Sequence, residues 1–420
     1  MSSKFSKYKL GEIINFSYGK MPKQEYLNTG KYPTFSGYKY QYLYPEMNCK
    51  KGDVIVVARG VGGTGDVKIV QKDCYLTNLA IKFDLNNEII DNKYCFYHYF
   101  LSTLRHLDSG SAQSQITIND LSNLEIIIPP LSTQKKIAHI LSTLDDKIEL
   151  NRKMNQTLEE MVSAIFKSWF VDFDPVHAKA SCEEEAELEN IAHELGISKA
   201  ILDLFPSEFE ESELGMIPKG WEVKKLEDVS EILNGHAFKS SDYINDGIFV
   251  LRTKNFSNDG YVENANDDVY LPESFLESHG QFLCQPYDFH LVMVGASIGK
   301  TSMILPMNLP ALRNQNMWCF RPKNKLMSRL FLSHIVKNVV RLQMGSASGS
   351  AREFFTKGSF FTQKVIIPEE SILSKYEKIT TPILEKIAIN QNEIQSLQKT
   401  RDTLLPKLLS GEIDVSGLEI

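Results

Sequence analysis

The chain repeats itself, and that fact limits its architecture more than any local propensity does. Lys147-Ile148-Glu149-Leu150-Asn151 returns as Lys386-Ile387-Ala388-Ile389-Asn390, Ile127-Ile128-Pro129 as Ile366-Ile367-Pro368, and Gly110-Ser111-Ala112 as Gly349-Ser350-Ala351, all at one offset of 239 residues. Upstream, Gly52-Asp53-Val54-Ile55-Val56-Val57 parallels Tyr287-Asp288-Phe289-His290-Leu291-Val292 at an offset of 235. A small length difference therefore lies between these stretches. The expected architecture is a pair of diverged copies in a pseudo-twofold internal repeat.

Each copy opens with short β-branched and aromatic runs, such as Val54 to Val57 and Ile248 to Leu251, broken by Gly, Asn and Asp turns. That is the pattern of an α+β domain. After Pro129-Pro130 the period turns helical, with Ile137, Leu141, Leu144, Ile148, Asn151, Asn155, Leu158, Val162 and Ile165 alternately four and three apart. The second copy places Tyr376, Thr380, Ile383, Ile387, Asn390, Ile394, Leu397, Arg401 and Leu404 at the matching positions, and Pro382 is placed to bend its first turns. A helix of about 35 residues is roughly 50 Å long and cannot bury such a stripe inside a small domain, so it needs a partner helix. The other copy supplies one, in an antiparallel coiled coil that holds the two domains at opposite ends. Asn151 and Asn390, near mid-helix, are expected to pair and set the register.

The expected order is a first domain over 1–130, a long spacer helix over 131–172, an acidic connector over 173–215, a second domain over 216–369, a second long helix over 370–410 and a tail over 411–420. The connector holds Glu183-Glu184-Glu185 and a short helix near Ile191, and it links more than it acts. The formal charge of −7 is uneven along the chain. Residues 1–130 carry +3 and 216–369 carry +2, whereas 131–215 carry −10 and 370–420 carry −2. The acid sits in the connectors, and the slightly basic domains permit nucleic-acid binding without indicating it.

No apolar run reaches the roughly 20 residues of a membrane span, and the N-terminus lacks a signal-peptide core, so a cytosolic location without membrane contact is expected. The six cysteines show no CxxC pairing and the histidines no ligand spacing, so no metal site is expected. Gly295-Ala296-Ser297-Ile298-Gly299-Lys300-Thr301 fails as a phosphate loop because only three residues separate its glycines. No aminomethyltransferase or nuclease motif is present, and His177, His193 and His236 have no nucleophile at a motif spacing. The chain is expected to have no catalytic residues and to bind no cofactor of its own.

The motifs GSAQSQIT at 110–117, IIPPLSTQKKIAHILSTLDDKIELN at 127–151, FKSWFVDFDP at 166–175, IPKGWEVKKLEDV at 217–229, GHAFKSSDY at 235–243 and the C-terminal LLPKLLSGEIDV together resemble the specificity subunit of type I restriction-modification enzymes, over essentially the whole chain. The resemblance implies two target recognition domains, each reading one half of a split sequence in double-stranded DNA. It also implies helices that dock two modification (methyltransferase) subunits, which bring S-adenosylmethionine, and restriction (motor-nuclease) subunits, which bring ATP hydrolysis with Mg. The DNA-reading subunit of a type IIB-like enzyme has similar domains, and a coiled-coil scaffold that binds protein at its ends is the reading from another class.

Base and phosphate contacts are expected from polar and basic residues in glycine-rich loops. In the first domain these are Tyr18, Lys20, Lys39, Tyr40, Arg59, Thr64, Asn78, Gln113 and Gln115; in the second they are His236, Lys239, Arg252, Lys254, Asn255, Ser297, Lys300, Arg313, Asn314, Gln315 and Arg352.

Overall fold

A computed structural model of the chain describes residues 5–60, 63–108, 114–182, 184, 187–265, 267–346 and 356–419, without the side chains of 345 and 346. The chain divides into two compact units: residues 1–150 with 393–420, and residues 151–392.

The first unit is built on a four-stranded antiparallel sheet in the order Ile14–Tyr18, Ala80–Leu85, Val54–Val57, Val67–Ile69. A three-stranded sheet orders Tyr40–Tyr44, Tyr32–Phe35 and Tyr75–Leu76, the last pair parallel. Val54 to Val57 can be apolar at every position because both sheet faces are covered. Val54 and Val56 pack with Tyr94, Cys95 and Tyr97 of the helix Asn92–Phe100, while Ile55 packs with Phe35 and Leu76 of the smaller sheet.

The second unit repeats this plan strand for strand. Its larger sheet orders Ser230–Asn234, Met317–Pro322, Phe289–Val292 and Thr301–Met303, and its smaller one orders Tyr270–Leu271, Ile248–Leu251 and Ala311–Arg313, again with one parallel pair. A two-stranded ribbon closes each copy: Ser6–Lys9 with Glu125–Ile128, and Glu222–Lys225 with Lys364–Ile367. The duplication is therefore one of topology as well as of motifs, and the α+β class holds.

The parallel between Gly52-Asp53 and Tyr287-Asp288 has a local cause. Asp53 accepts the Lys50 N–H at 2.8 Å and Asp288 the Gln285 N–H at 2.8 Å, closing the same turn in front of the central strand. The residue before each aspartate is left-handed, Gly52 at φ 91° and Tyr287 at φ 63°. Glycine adopts that conformation freely; Tyr287 adopts it at a steric cost.

The long helices are Leu131–Phe170 and Glu370–Ser410, the second unbroken through Pro382. None of the heptad positions is exposed. In the first unit Arg401, the charged interruption of the seam, bonds Asp145 at 2.6 Å and lies over the Phe100 ring, 4.4 Å from its centroid. In the second unit Asn390 donates to Asn155 Oδ1 at 2.8 Å, and both amides are buried. Within the second unit, the pairings of 155 with 390 and of 166 with 376 run in opposite chain directions, as an antiparallel coiled coil requires. Asn151, expected as the partner of Asn390, is also buried, and Asn390 donates its side-chain amide to Asn155. Asn155→Leu leaves the Asn390 amide buried without that acceptor and is expected to cost about 1–3 kcal/mol. The double change with Asn390→Leu is expected to recover most of it, as denaturant titration of the four proteins of the cycle will read.

The connector does more than link. Its helices Asp174–Ala180, Leu188–Glu194 and Lys199–Leu202 bring Val176, Ile201 and Phe205 into the core of the second unit. There Trp169 meets Phe205 edge-on at 5.2 Å and Phe170 meets Phe331 at 4.9 Å, with Trp221 and Tyr376 completing the aromatic cluster. The FKSWF and IPKGW motifs are thus packing motifs. His334 stacks on Phe166 in the same core, and burial pushes its imidazole down to about 3. A neutral buried histidine makes the unfolded state bind the extra proton, so its contribution falls as pH drops below the unfolded value near 6.5. The second unit is expected to lose about 2 kcal/mol between pH 7 and pH 5 through this residue. His334→Leu will flatten that part of the pH–stability curve.

Candidate nucleic-acid interface

In the first unit several strand ends meet at one loop cluster. Gly19 donates to Ala80 O at 3.0 Å and Lys20 to Leu76 O at 3.0 Å, laying the Tyr18–Lys20 turn across residues 77–79. Ala58 and Arg59 N–H groups reach Leu79 O, Arg59 bridges Gln115, and Ile116 donates to Ala58 O. Tyr18, Lys20, Arg59, Asn78 and Gln115 are thereby gathered, with Lys20 and Tyr18 exposed and the others half-buried. The Tyr38 hydroxyl donates to Arg59 O at 3.1 Å, bringing exposed Lys39 alongside. Tyr38, 39% exposed, belongs to this cluster but was not among the expected contacts. Its place between Gly37 and Lys39 was the available signal.

The second unit builds the same cluster with other side chains. His236 donates its N–H to Arg313 O at 3.1 Å and bridges Asn314, while Asn314 N–H reaches Leu251 O and Met293 N–H reaches Asn316 O. This joins His236, Arg252, Asn314 and Gln315 to the 293–300 loop carrying Ser297 and Lys300. That loop closes as its counterpart does: Gly299 donates to Val292 O as Gly65 does to Val57 O. GASIGKT leads into the strand Thr301–Met303 rather than into a helix, so it lacks the helix N-terminus that a phosphate loop uses.

One contact explains a glycine in each cluster. A Cβ on Gly19 would lie 2.1 Å from Thr77 O, and one on Gly235 would lie 1.7 Å from Asn314 O. The turn and the facing loop touch backbone to backbone, which leaves the flanking side chains to project outward.

Several expected contacts are committed to the fold instead. Arg313, 1% exposed, donates to the carbonyls of Asn234, Leu283 and Gln281 at 3.2, 3.0 and 2.6 Å, which spends its guanidinium on backbone. Asn255 is buried, bonding Glu263 O and Asp268 while accepting the Arg252 N–H. Thr64 is buried with its hydroxyl on Gly60 O. Tyr40 stacks on Phe35 at 4.3 Å, and its hydroxyl takes the Gln71 N–H. Arg252 donates to Asp267 O at 2.6 Å, and Lys254 pairs with Asp267 at 2.5 Å, so both cations are locally offset. Lys239 is exposed beside His236. Gln113 and Arg352 lie outside the described residues.

The family model of the type I restriction modification DNA specificity domain matches residues 2–160 and again 218–399, one stretch in each copy. The chain belongs to the type I restriction-modification specificity subunits. Among its relatives, the type I restriction enzyme HindI specificity subunit of Haemophilus influenzae is 28% identical, over 98% of this chain and 100% of that protein. The MjaIX specificity subunit of Methanocaldococcus jannaschii is 25% identical, over 88% of this chain and 79% of that protein. The solved S subunit of the type I restriction-modification system of M. genitalium shares the fold, with a TM-score of 0.56 at 18% identity over 97% of this chain and 96% of that one. In this specificity subunit no helix among the described residues is long and apolar enough to cross a membrane.

Proposed function

We propose that this specificity subunit is the DNA-reading, non-catalytic member of a restriction-modification complex, and that each recognition domain reads one half of a bipartite target. The observation that carries this is the loop cluster, built twice on one backbone plan and lined differently each time. Tyr18, Lys20, Arg59 and Asn78 stand in one copy, and His236, Lys239, Asn314 and Gln315 in the other. A single symmetric target would be served by like side chains; two unlike half-sites call for unlike ones. The long helices, with Met154 and Met161 of the first and Ile389 of the second exposed, offer docking faces for two modification subunits that bring S-adenosylmethionine. Restriction subunits would add the ATP- and Mg-dependent steps.

The test is to express the chain with its modification subunits and map methylated bases in the resulting DNA. A split motif is expected. Grafting residues 1–130 from a relative of different specificity is expected to change one half of that motif and leave the other. Binding to duplexes that carry the motif is expected to weaken steeply with salt, since phosphate neutralisation releases counterions. A contiguous motif, or salt-insensitive binding, contradicts the reading.

A further inference from the structure

Lys68 and Lys72 of the first unit are held by rings rather than by carboxylates. Lys68 stands on the strand Val67–Ile69, at the edge of the larger sheet, opposite Ile55. Residues opposed across antiparallel strands share a face, so Lys68 points to the side on which Ile55 meets the smaller sheet. There its Nζ lies 5.7 Å from the centroid of the Tyr38 ring. Lys72 Nζ lies 4.6 Å from the centroid of Tyr40. The loop cluster closes on the first of these rings, since a Cβ on Gly60 would lie 2.6 Å from Tyr38 Oη and one on Gly63 would lie 2.5 Å from Tyr38 Cε1. Tyr38 thus touches both that loop and Lys68, and Tyr38, Tyr40, Asp66 and Lys68 line one open recess. A ring face attracts an ammonium group but leaves its charge uncancelled and its donors unspent. Lys82 and Lys254, by contrast, meet carboxylates at 2.6 and 2.5 Å. Among the described residues no carboxylate oxygen, that of Asp66 included, lies within 4 Å of the ammonium of Lys39, Lys68 or Lys72.

The second copy is charged differently at this place. His290 is the repeat equivalent of Ile55, and the residue opposite it, where Lys68 would stand, is the fully buried Ser302. Arg252 and Lys254 are offset by Asp267 and Asp268. Lys337 does lie over a ring, that of Phe289 at 5.7 Å, but in a recess that Glu159 and Asp259 share. We propose that Lys39, Lys68 and Lys72 contact phosphate groups of the duplex beside the half-site met by the first unit, so that this domain supplies the larger share of the sequence-independent grip. This assignment depends on the loop cluster facing DNA, as proposed above, and adds which residues anchor the backbone. Phosphates carry the charge that three uncancelled ammonium groups complement, and phosphate contacts fix the register of a reader without selecting bases. Tyr38 and Tyr40 hold two of the ammonium groups in place beforehand, so less side-chain freedom is lost on binding than with unsupported lysines.

The full chain is assembled with its modification subunits, and affinity for a duplex carrying its methylated motif is measured between about 50 and 200 mM salt. Each phosphate contact contributes about 0.9 to the slope of log affinity against log salt. Lys68→Gln combined with Lys72→Gln is expected to lower that slope by about 1.8, so that the wild type loses about tenfold more affinity over this range than the double variant. The methylated motif is expected to stay the same, and Lys68→Arg with Lys72→Arg is expected to keep the wild-type slope. Lys219→Gln, which removes an exposed lysine paired with Glu208, is expected to leave the slope unchanged. Neutral methylphosphonate links beside the half-site that a graft of residues 1–130 alters are expected to weaken the wild type about threefold or more, and the same links beside the other half-site less. That measurement needs no variant to fold. A wild-type slope in the folded double variant, a changed motif, or equal effects of the links at both half-sites overturns the assignment, while steep salt dependence of the wild type leaves the DNA-reading function standing. A salt-insensitive wild type removes both.

Discussion

Replacing Asp288 with alanine is expected to destabilise the second unit by about 3–5 kcal/mol, the cost of removing one partner from a buried ionic network. Asp288 is fully buried between Arg321 and Arg329, whose side chains are 15% and 24% exposed. Its loss would leave two largely desolvated guanidinium groups facing each other and would uncap the Gln285 turn, which already carries Tyr287 in the left-handed region. Asp53→Ala in the first copy removes an ion pair whose partners are each about a fifth to a quarter exposed, and only one cation is stranded. Its cost is expected to be about 1–3 kcal/mol. Urea titration of the two variants, followed by far-ultraviolet circular dichroism for both units and by the tryptophans Trp169, Trp221 and Trp318 for the second, will separate them. Equal shifts in midpoint would show that the network around Asp288 behaves as an ordinary surface pair.

Gly235→Ala tests the proposed reading surface rather than the core. The added Cβ would overlap Asn314 O and lie 2.4 Å from Asn314 C, both backbone atoms, so relief requires the turn and the facing loop to part. Overpacking of this kind costs about 1–3 kcal/mol. The displacement moves His236, Asn314 and Gln315 together. A loss of more than tenfold in affinity for the cognate duplex is therefore expected, equivalent to about 1.4 kcal/mol or more. Binding to DNA altered only in the half-site read by the first unit should fall by the same factor. Gly19→Ala, with its Cβ 2.1 Å from Thr77 O, is the counterpart in the first copy and is expected to act on the other half-site. Wild-type affinity in Gly235→Ala at unchanged stability would remove this loop pair from the interface.

What could be read from the chain followed from period and repetition. The heptad stripe fixed which faces of the two helices are covered, because burial of such a stripe depends on local spacing alone. The repeated Asp53 and Asp288 marked equivalent turns, because an aspartate capping a turn acts within four residues. Whatever depends on register between distant segments was invisible. Asn390 meets Asn155 across the two helices, and no local pattern encodes which residue of one helix faces which residue of the other. Arg313 reads in sequence as a loop cation, yet the parallel pairing of Ala311–Arg313 with Phe249–Leu251 turns it inward among three carbonyls. His290 and Cys319 become neighbours only when the sheet aligns them.

The division of the chain into units has a consequence for biogenesis. The unit that holds the N-terminal recognition domain also needs Leu405, Leu408 and Val415 in its core, and Lys136 bonds Ser416 O at 2.7 Å. The other unit is one uninterrupted stretch. On a ribosome, the copy encoded second can complete its core first, while the copy encoded first waits with an open apolar seam for residues 405–415 to arrive. A released chain truncated near residue 392 would keep the second unit whole and leave the first without the Leu405, Leu408 and Val415 side of its core.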